Sequence, residues 1–570
     1  MFPLHDPVDD ATREALASYD DLTAALLARR GIRTKEEAER FLKPSYDLHL
    51  HDPLLMTDME KAARRLAAAI RSGERIAVWS DYDCDGIPGA VVLHDFLQKA
   101  GATFENYIPH RHAEGYGMNK DGVEKLAKGG ATLIVTVDSG ITDIEPVARA
   151  SELGMDVIIT DHHLPGETLP DAFAVVDPHA RADEPYPFRH LCGAGVAWKL
   201  VVATLAVEPS VREKIPEGRE KWLLDMAGLA TIADMVPLVG ENRALATFGL
   251  IVMRKSPRVG FQKLCRVMRV DQRVLTEDDV GFMIAPRVNA ASRMGDARDA
   301  FRLFTTADEA EAEGLAKKLE AANRSRKAES GAITRAVRAR LKERGVREVI
   351  AIGDPEWRPA LLGLVAGNIA DEFERPVFLW GREGSMKLKG SMRSGGSVSG
   401  VELMQAAGDT FEQFGGHEAA GGFTVRDEAV FDLEDRLGAA LATLEPHAVE
   451  DFSAHADAAI GVDEATESFL EKLERLAPFG VDNPKPLFLI RDARVLRVSA
   501  FGKGKEHVKV TLVARAGALD AVAFFAKASL LLTLDALAAG GRTNLLAHIE
   551  RDTFSRNSPI RLRLVDIKAV

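Results

Sequence analysis

Three aspartates at alternate positions, Asp81, Asp83 and Asp85, lie in SDYDCDG directly after the apolar run RIAVWS. Asp138 ends a second run, ATLIVTVDSG (131–140), and Asp161, His162 and His163 end a third, MDVIITDHH (155–163). A further apolar segment, GLATIADMVPL (228–238), reads as strand-like and carries Asp234. Carboxylate oxygens with imidazole nitrogen are a donor set for Mn2+ or Mg2+. The three cysteines, Cys84, Cys192 and Cys265, are too widely spaced for a thiolate zinc site or a disulfide framework. Cys84 reads as a packing residue. A carboxylate shared by two ions about 4 Å apart would activate water and steady both oxygens of a phosphoryl displacement. One acid at a strand end is usually a loop or cap residue. Four coincident segment ends are what make the reading.

These ends meet only if the runs lie side by side. Short Val/Ile runs alternating with helical stretches predict βαβ units and a parallel sheet, with AFAVVDPH (172–179) as another strand. Open sheets of this kind bind ligands at the carboxyl ends of their strands. The fold class expected is α/β, and the chain divides into five parts. Residues 1–70 form a helical lead-in, with helix-like spacing over 10–30, 35–42 and 59–70. Residues 71–240 form the acidic parallel-sheet domain. Residues 241–345 are helical and end in one long helix over 308–344, which Gly314 and Gly331 weaken. Residues 346–450 make a second α/β segment, and 451–570 a small all-β barrel built from ARVLRVSA, HVKVTLVA, AVAFF, NLLAHIE and IRLRLVDI.

Charge is segregated along the 570 residues. The whole chain carries −13, which argues against a protein that coats DNA through an overall cationic surface. Residues 321–345 nevertheless carry +6 and residues 491–570 carry +7. Arg111, Arg287, Arg293 and Arg393 read as loop residues flanked by Gly or Ser, where guanidinium forks can clamp phosphate. Ser391, Arg393 and Ser394 together offer donors for a terminal phosphate. Tyr116, between Gly115 and Gly117, could stack a base or narrow an entrance. Gly416 and His417 sit in a turn where backbone N–H groups can approach phosphate. Phe501, Lys503, Lys505, His507 and Lys509 share one strand-loop-strand stretch and read as a single-strand track, though not all can face outward. The N-terminus lacks a basic stretch followed by an apolar core, and no run is long enough to span a membrane, so a cytoplasmic protein is expected.

In order and spacing, DYDCDG, VTVDSG, TDHH and ADMVPL resemble the four motifs of the DHH phosphoesterase superfamily. The resemblance implies that Asp83, Asp85, Asp138, His162 and Asp234 bind two divalent metal ions, Mn2+ or Mg2+, with Asp138 bridging. His163 then resembles the histidine that contacts the scissile phosphate, while Asp81 and Asp161 hold ligands from behind. IPHRHAEGYGMN (108–119), LCGAGVAWKL (191–200), FMIAPRVNAASRMGDA (282–297), GSMRS (390–394), GGHEAAGGF (415–423) and LAPFGVDNPKPLF (476–488) narrow this to RecJ-type single-strand-specific exonucleases. That implies a DHH domain, a connecting helix, a DHH-associated domain and an OB-type barrel. It also implies 5′→3′ hydrolysis of single-stranded DNA to 5′-mononucleotides in repair and recombination, by a monomer, with a RecQ-type helicase and a single-strand-binding protein as partners. Asn289 joins the substrate-binding candidates on the same ground.

Two departures stand out. WRPALLG has Arg358 and Ala360 where the family shows His and Gly, and FGVDNP has Asp482 near a usual glycine. Two other readings compete. A short-oligonucleotide or cyclic-dinucleotide phosphodiesterase would resemble residues 75–423 but lack the basic tail. A catalytically silent replication scaffold would have lost ligand residues.

Overall fold

The apolar runs become neighbouring strands of one parallel sheet. The structure is a computed structural model, and it describes residues 2–382, 387–396, 398–445, 455–502, 507–515, 517–524, 530, 541–552 and 559–569. The first sheet holds β1 (Arg75–Ser80), β2 (Thr103–Tyr107), β3 (Ala131–Val137), β4 (Asp156–Thr160) and β5 (Ala174–Val176) in the order β2-β1-β3-β4-β5. Every pairing in it is parallel. Both faces are covered, which is why the strands read as continuous apolar runs. Ile76 and Val78 pack into one core, and Ala77 and Trp79 into the other. β2 was not expected, because the edge strand TFENY is only half-buried and has no apolar pattern.

The 1–70 lead-in is not one body. The helices α1 (Asp10–Ala15), α2 (Asp21–Arg29) and α3 (Lys35–Leu42) precede α4 (Met59–Ser72). Leu26, Leu27 and Phe41 from α2 and α3 join the core of the C-terminal barrel, whereas Leu66 and Ile70 of α4 join that of the first sheet. One buried guanidinium ties these parts together. Arg243 donates to the carbonyls of Phe41 (2.7 Å), Leu476 (2.9 Å) and Ala477 (2.8 Å), with its charge over the Phe41 ring.

α5 (Gly86–Ala100) and α6 (Gly193–Val207) pack on the first sheet, α7 (Leu224–Ala233) packs on both of these helices, and α8 (Gly240–Met253) packs on α7. Here the expectation for residues 228–238 is corrected. GLATIA lies in α7, and Asp234 is the residue that ends it. The helix is enclosed on all sides, so its sequence is apolar all round and cannot be told from a buried strand by periodicity. Farther on, α9 (Ala285–Met294) follows a single π-type turn, Val280–Ile284.

The long helix is α10 (Glu309–Arg344), unbroken at Gly314 and Gly331, with Asp308 as its N-cap. It leads to a second sheet of β6 (Ile350–Gly353), β7 (Val377–Gly381), β8 (Leu388–Arg393), β9 (Phe411–Gly416) and β10 (Ala420–Val425), ordered β6-β7-β8-β10-β9. α11 (Pro359–Phe373) packs on β7 and β8. The tail holds β11 (Ala458–Ile460), β12 (Phe488–Phe501), β13 (His507–Ala514), β14 (Gly517–Ala523), β15 (Arg542–Arg551) and β16 (Ile560–Ala569). β12, β13, β14, β16 and β15 close into a barrel through the β12–β15 pairing, the OB-type architecture expected. Asp482 takes a left-handed φ of 58°, which explains why glycine suits that position.

α7 and α8 touch where two glycines face each other. A Cβ on Gly228 would stand 2.5 Å from the Gly249 Cα, closer than atoms can approach. Gly228→Ala should force the helices apart and cost about 1–3 kcal/mol of stability, read as a fall in Tm. Gly314 of α10 is exposed, with nothing near its missing Cβ. Gly314→Ala should raise stability by about 0.5–1 kcal/mol.

Candidate active site

The acids sit at one level because each continues the ladder by one residue. Asp81 N donates to Val137 O (3.2 Å), Asp138 N to Thr160 O (3.0 Å) and Asp161 N to Val176 O (3.2 Å). Asp81 and Asp138 therefore flank the point where the chain order reverses, between β1 and β3, which is where open α/β sheets form their crevice. Asp138 adopts a left-handed φ of 59°, which aspartate tolerates.

Two of the other acids are held at helix N-termini, where unpaired N–H groups and the helix dipole favour an anion. Asp83 Oδ1 accepts from the backbone N–H of Asp85 (2.8 Å) and of Gly86 (3.2 Å) at the start of α5. Asp85 accepts from Gly193 N (2.6 Å) and Ala194 N (2.7 Å) at the start of α6. The approach of α6 requires glycine: a Cβ on Gly193 would stand 2.6 Å from that of Asp138. The LCGAGVAWKL stretch thus supplies backbone donors, a role its side chains did not announce.

His162 is the hub. Its Nε2 lies 3.1 Å from Asp138 Oδ1, 3.6 Å from Asp85 Oδ2 and 3.8 Å from Asp234 Oδ2. His163 Nδ1 bonds Asp161 Oδ1 at 2.8 Å and lies 3.2 Å from the Tyr116 hydroxyl, which donates to Asp138 O at 3.1 Å. Asp161 is fully buried and accepts from Ile141 N as well, so it fixes the imidazole in place. Burial would raise the Asp161 carboxyl, but the bond and charge of His163 hold it below its usual range. Burial would lower His163, and Asp161 brings it up to about 9. Asp81, Asp85 and Asp138 are all pushed upward by burial and then by neighbouring carboxylates. Asp234 rises to about 9 by burial, Asp85 and Asp83.

Such a cluster needs cations. Ligand atoms of Asp138, His162 and His163, of Asp85, His162 and Asp234, and of Asp81, Asp83 and Asp138 each lie within 4.8 Å of one another. Asp138 Oδ1 and Asp81 Oδ1 are buried without a hydrogen-bond donor. Oxygen and imidazole donors with orphaned carboxylate atoms fit divalent ions of the Mn2+ and Mg2+ class.

A cavity of about 230 Å³ opens here, lined by Asp81, Asp83, Asp138, Asp234, His163, Tyr82, Tyr116, Arg111 and Arg293. Arg111 lies over the Tyr82 ring, and Arg293, lowered to about 10 by burial and by Arg111, donates to Ala360 O at 2.7 Å. A larger cavity, about 870 Å³, continues to the second sheet past Lys387, Lys389, Gly390, Gln413, Phe414 and Gly415. Lys389 alternates with Ser391 and Arg393 along β8, a period-two pattern visible in KLKGSMR but not singled out from sequence.

The remaining candidates fall into place unevenly. Arg287 and Arg293 lie on α9 and Arg393 ends β8, so three of the four arginines are not in loops as expected. Arg287 is turned away: it pairs with Glu320 at 2.7 Å and donates to Met283 O, fixing α9 to α10. Asn289 accepts from Cys84 N at 2.9 Å and so braces the first acidic motif. Ser394 is buried, its hydroxyl accepting from Gly396 N at 3.3 Å. Arg393 donates to Met392 O. Gly416 and His417 form the β9–β10 hairpin, closed by His417 N to Ala420 O. Lys509 pairs with Asp520 at 3.1 Å, while Lys503 and Lys505 lie outside the described residues. Arg358 lies 3.5 Å from Glu329. Cys84 is buried with its thiol pushed up by burial, consistent with packing. The +6 stretch of α10 is not a free cationic face. Arg338, Arg340 and Arg344 pair with Glu372, Asp354 and Glu434 of the second α/β unit.

Comparison with known proteins agrees with this architecture. Residues 75–232 match the DHH family N-terminal domain, 343–461 the DHHA1 domain and 456–566 the RecJ OB domain. The chain is 38% identical to the single-stranded-DNA-specific exonuclease RecJ of Bacillus subtilis over 88% of its own length, and spans 63% of that relative. It is 33% identical to the Escherichia coli RecJ over 90% of this chain and 91% of the relative. The chain belongs to the RecJ family. The structure of RecJ with Mn2+ from Thermus thermophilus matches with a TM-score of 0.80 at 29% identity, covering 100% of this chain and 79% of that one. The same protein with Mg2+ matches with a TM-score of 0.74 at 28% identity, covering 100% and 78%. Both ions are those the donor set here fits.

Asp138→Asn keeps the left-handed backbone and removes one buried charge. In EDTA it should raise stability by ~1–3 kcal/mol, while abolishing the rise in Tm that Mn2+ gives the wild type. Near the Tyr116 loop, Asp143 accepts from Met118 N at 2.7 Å and is pushed up to about 6 by burial. A raised carboxyl favours the fold in its neutral form, so the cost of ionising it is absent below the unfolded value of 3.8, small at pH 4 and complete above pH 6. Asp143→Asn should therefore raise stability at pH 7.5 by ~1–2 kcal/mol allowing for partial solvation, read as a rise in Tm, and leave Tm unchanged at about pH 3.

Proposed function

We propose that this protein is a metal-dependent exonuclease that hydrolyses single-stranded DNA from its 5′ end, releasing 5′-mononucleotides in repair and recombination. The observation that carries the reading is the convergence of Asp83, Asp85, Asp138, Asp234 and His162 beside a cavity with Arg111 and Arg293 on its wall. Those five would hold two divalent ions. When bound, the ions supply charge neutralisation at phosphorus and an activated water for in-line displacement.

The remaining groups prepare the substrate. Arg111 and Arg293 form no ion pair among the described residues; Arg111 offers its fork to phosphate oxygens, and Arg293, with Nη1 on Ala360 O, offers its other arm. Asp161 holds His163 by Nδ1, leaving Nε2 for the scissile phosphate. Tyr116 narrows the mouth of the cavity. Ser391, Arg393 and Lys389 on β8 would take the 5′-terminal phosphate. The sequence carries an acid or histidine at every ligand position that the superfamily resemblance implies, which supports this reading over a silent scaffold, and the barrel supports it over an enzyme limited to dinucleotides. Helicases expose free single strands, so a RecQ-type helicase and a single-strand-binding protein are the partners proposed for a cytoplasmic monomer.

Digestion of 5′- and 3′-labelled strands with Mn2+ or Mg2+ tests this directly. Labelled mononucleotide should appear at once from the 5′ label and last from the 3′ label, with blunt duplex spared. Asp138→Ala should lower kcat by ~10³-fold or more, the scale on which loss of a central charge-stabilising group acts. Release of the 3′ label first would overturn the polarity. Arg393→Ala should raise KM for 5′-phosphorylated strands more than for 5′-hydroxyl strands.

A further inference from the structure

Asp234 differs from its neighbours in how it is held. Asp83 and Asp85 each accept two backbone N–H groups at a helix N-terminus. Among the described residues, no hydrogen bond is donated to the Asp234 carboxylate. Its place 3.8 Å from His162 Nε2 therefore follows from its backbone. That backbone leaves α7 through Met235, at a left-handed φ of 59°, and runs as an irregular strap over residues 235–239 to the start of α8.

A strap without secondary structure has to find partners for its backbone elsewhere. Asn242 of α8 donates to Pro237 O at 3.1 Å. Among the described residues, Leu238 is the one member of 235–238 that makes a backbone-to-backbone hydrogen bond, and the bond goes to a different unit. Leu238 N donates to Val481 O at 2.8 Å. The Leu238 side chain is buried and closes on the same place, since a Cβ on Gly480 would stand 2.7 Å from Leu238 Cδ1.

Val481 lies in the tight turn 480–483, which precedes β12 and the barrel. Gly480 N donates to Asn483 O at 2.9 Å, and Asn483 N to Gly480 O at 3.2 Å. The buried Asn483 side chain ties the turn to Leu476 O (2.9 Å) and Pro478 O (2.7 Å), next to the carbonyls that Arg243 of α8 holds. Asp482 stands third in the turn, at φ 58°. A left-handed residue in third place turns the central peptide over relative to the commonest turn type. The carbonyl of that peptide is Val481 O. Asp482 is exposed, so its backbone, and not its carboxylate, aims the acceptor at Leu238.

We propose that the turn 480–483 positions Asp234 for one of the two metal ions, so that a site built in the first domain is completed by the segment leading into the barrel. The ion concerned is the one that Asp85, His162 and Asp234 would hold, while Asp81, Asp83 and Asp138 form another group. Four positions separate Asp234 from Leu238. A Val481 carbonyl turned the other way frees the strap, and the carboxylate with it. This positioning role rests on the two-ion reading above and adds where one ligand residue gets its orientation.

The test titrates the full chain with Mn2+ and follows free Mn2+ by electron paramagnetic resonance, without DNA. The wild type should bind two ions, and Asp234→Ala should weaken one of them, which identifies it. Asp482→Val disfavours the left-handed conformation. It should weaken that same ion about tenfold, the lower end of what groups orienting a metal ligand contribute, and leave the other unchanged. Asp482→Gly removes the same charge but keeps the left-handed φ, and should bind both ions as the wild type does. Asp482→Ala should fall between the two, which keeps the series readable if the valine variant does not fold. In single-strand cleavage, kcat of Asp482→Val should drop at limiting Mn2+ and recover when Mn2+ is raised. A lower Tm in EDTA with equal Mn2+ affinities across the series would overturn the positioning role and leave the turn a purely structural element. Equal weakening of both ions, or an effect of Asp482→Gly as large as that of Asp482→Val, would overturn it too. A wild type that takes up no Mn2+ would overturn the two-ion reading itself, and the positioning role with it.

Discussion

Carboxylates packed together out of water repel one another, and the first domain is organised around that fact. Asp81, Asp85 and Asp138 are buried, and Asp234 stands against them. Three devices make the arrangement tolerable. Helix N-termini face Asp83 and Asp85 with backbone N–H groups. Asp161 is matched by the His163 ring and three backbone donors, so it stays charged without drawing on the others. The rest of the repulsion is not relieved by protein groups among the described residues, and the donor set left over fits divalent ions.

The other units are fastened so that their faces meet this point. Arg293 reaches from α9 to Ala360 O at the start of α11. Ion pairs from α10 to Asp354, Glu372 and Glu434 set the second sheet against the first. The buried Arg243 ties three units together through carbonyl oxygens, with no ion pair among the described residues, and burial draws it down to about 9. A hydrogen-bonded guanidinium of this kind fixes orientation as well as distance, because its donors lie in one rigid plane.

Much of this was legible before any coordinates. The apolar runs ending in acid, the second α/β segment, the long helix and the barrel strands all appear in periodicity and motif order. Asp234 was recognised although its element was misread. A helix enclosed on every side and a buried strand are both short and apolar, and only the surrounding packing separates them. β2 escaped for the opposite reason, since a half-buried edge strand has too little apolar pattern to register. The alternation along β8 that brings Lys389 beside Ser391 and Arg393 was present in the sequence and went unused.

The sequence by itself determined the donor types, their order and the strand ends that carry them, because those depend on local pattern and residue chemistry. Tertiary structure decided which charges are free. Arg287 and Arg293 stand six positions apart on one helix, yet Glu320 occupies the first and the acidic cavity receives the second. Part of the +6 on the long helix likewise goes into pairs with acids distant in sequence, Arg338 with Glu372, Arg340 with Asp354 and Arg344 with Glu434. A charge count along the chain has no knowledge of partners brought together by folding, and an ion pair falls off with distance in space, not in sequence.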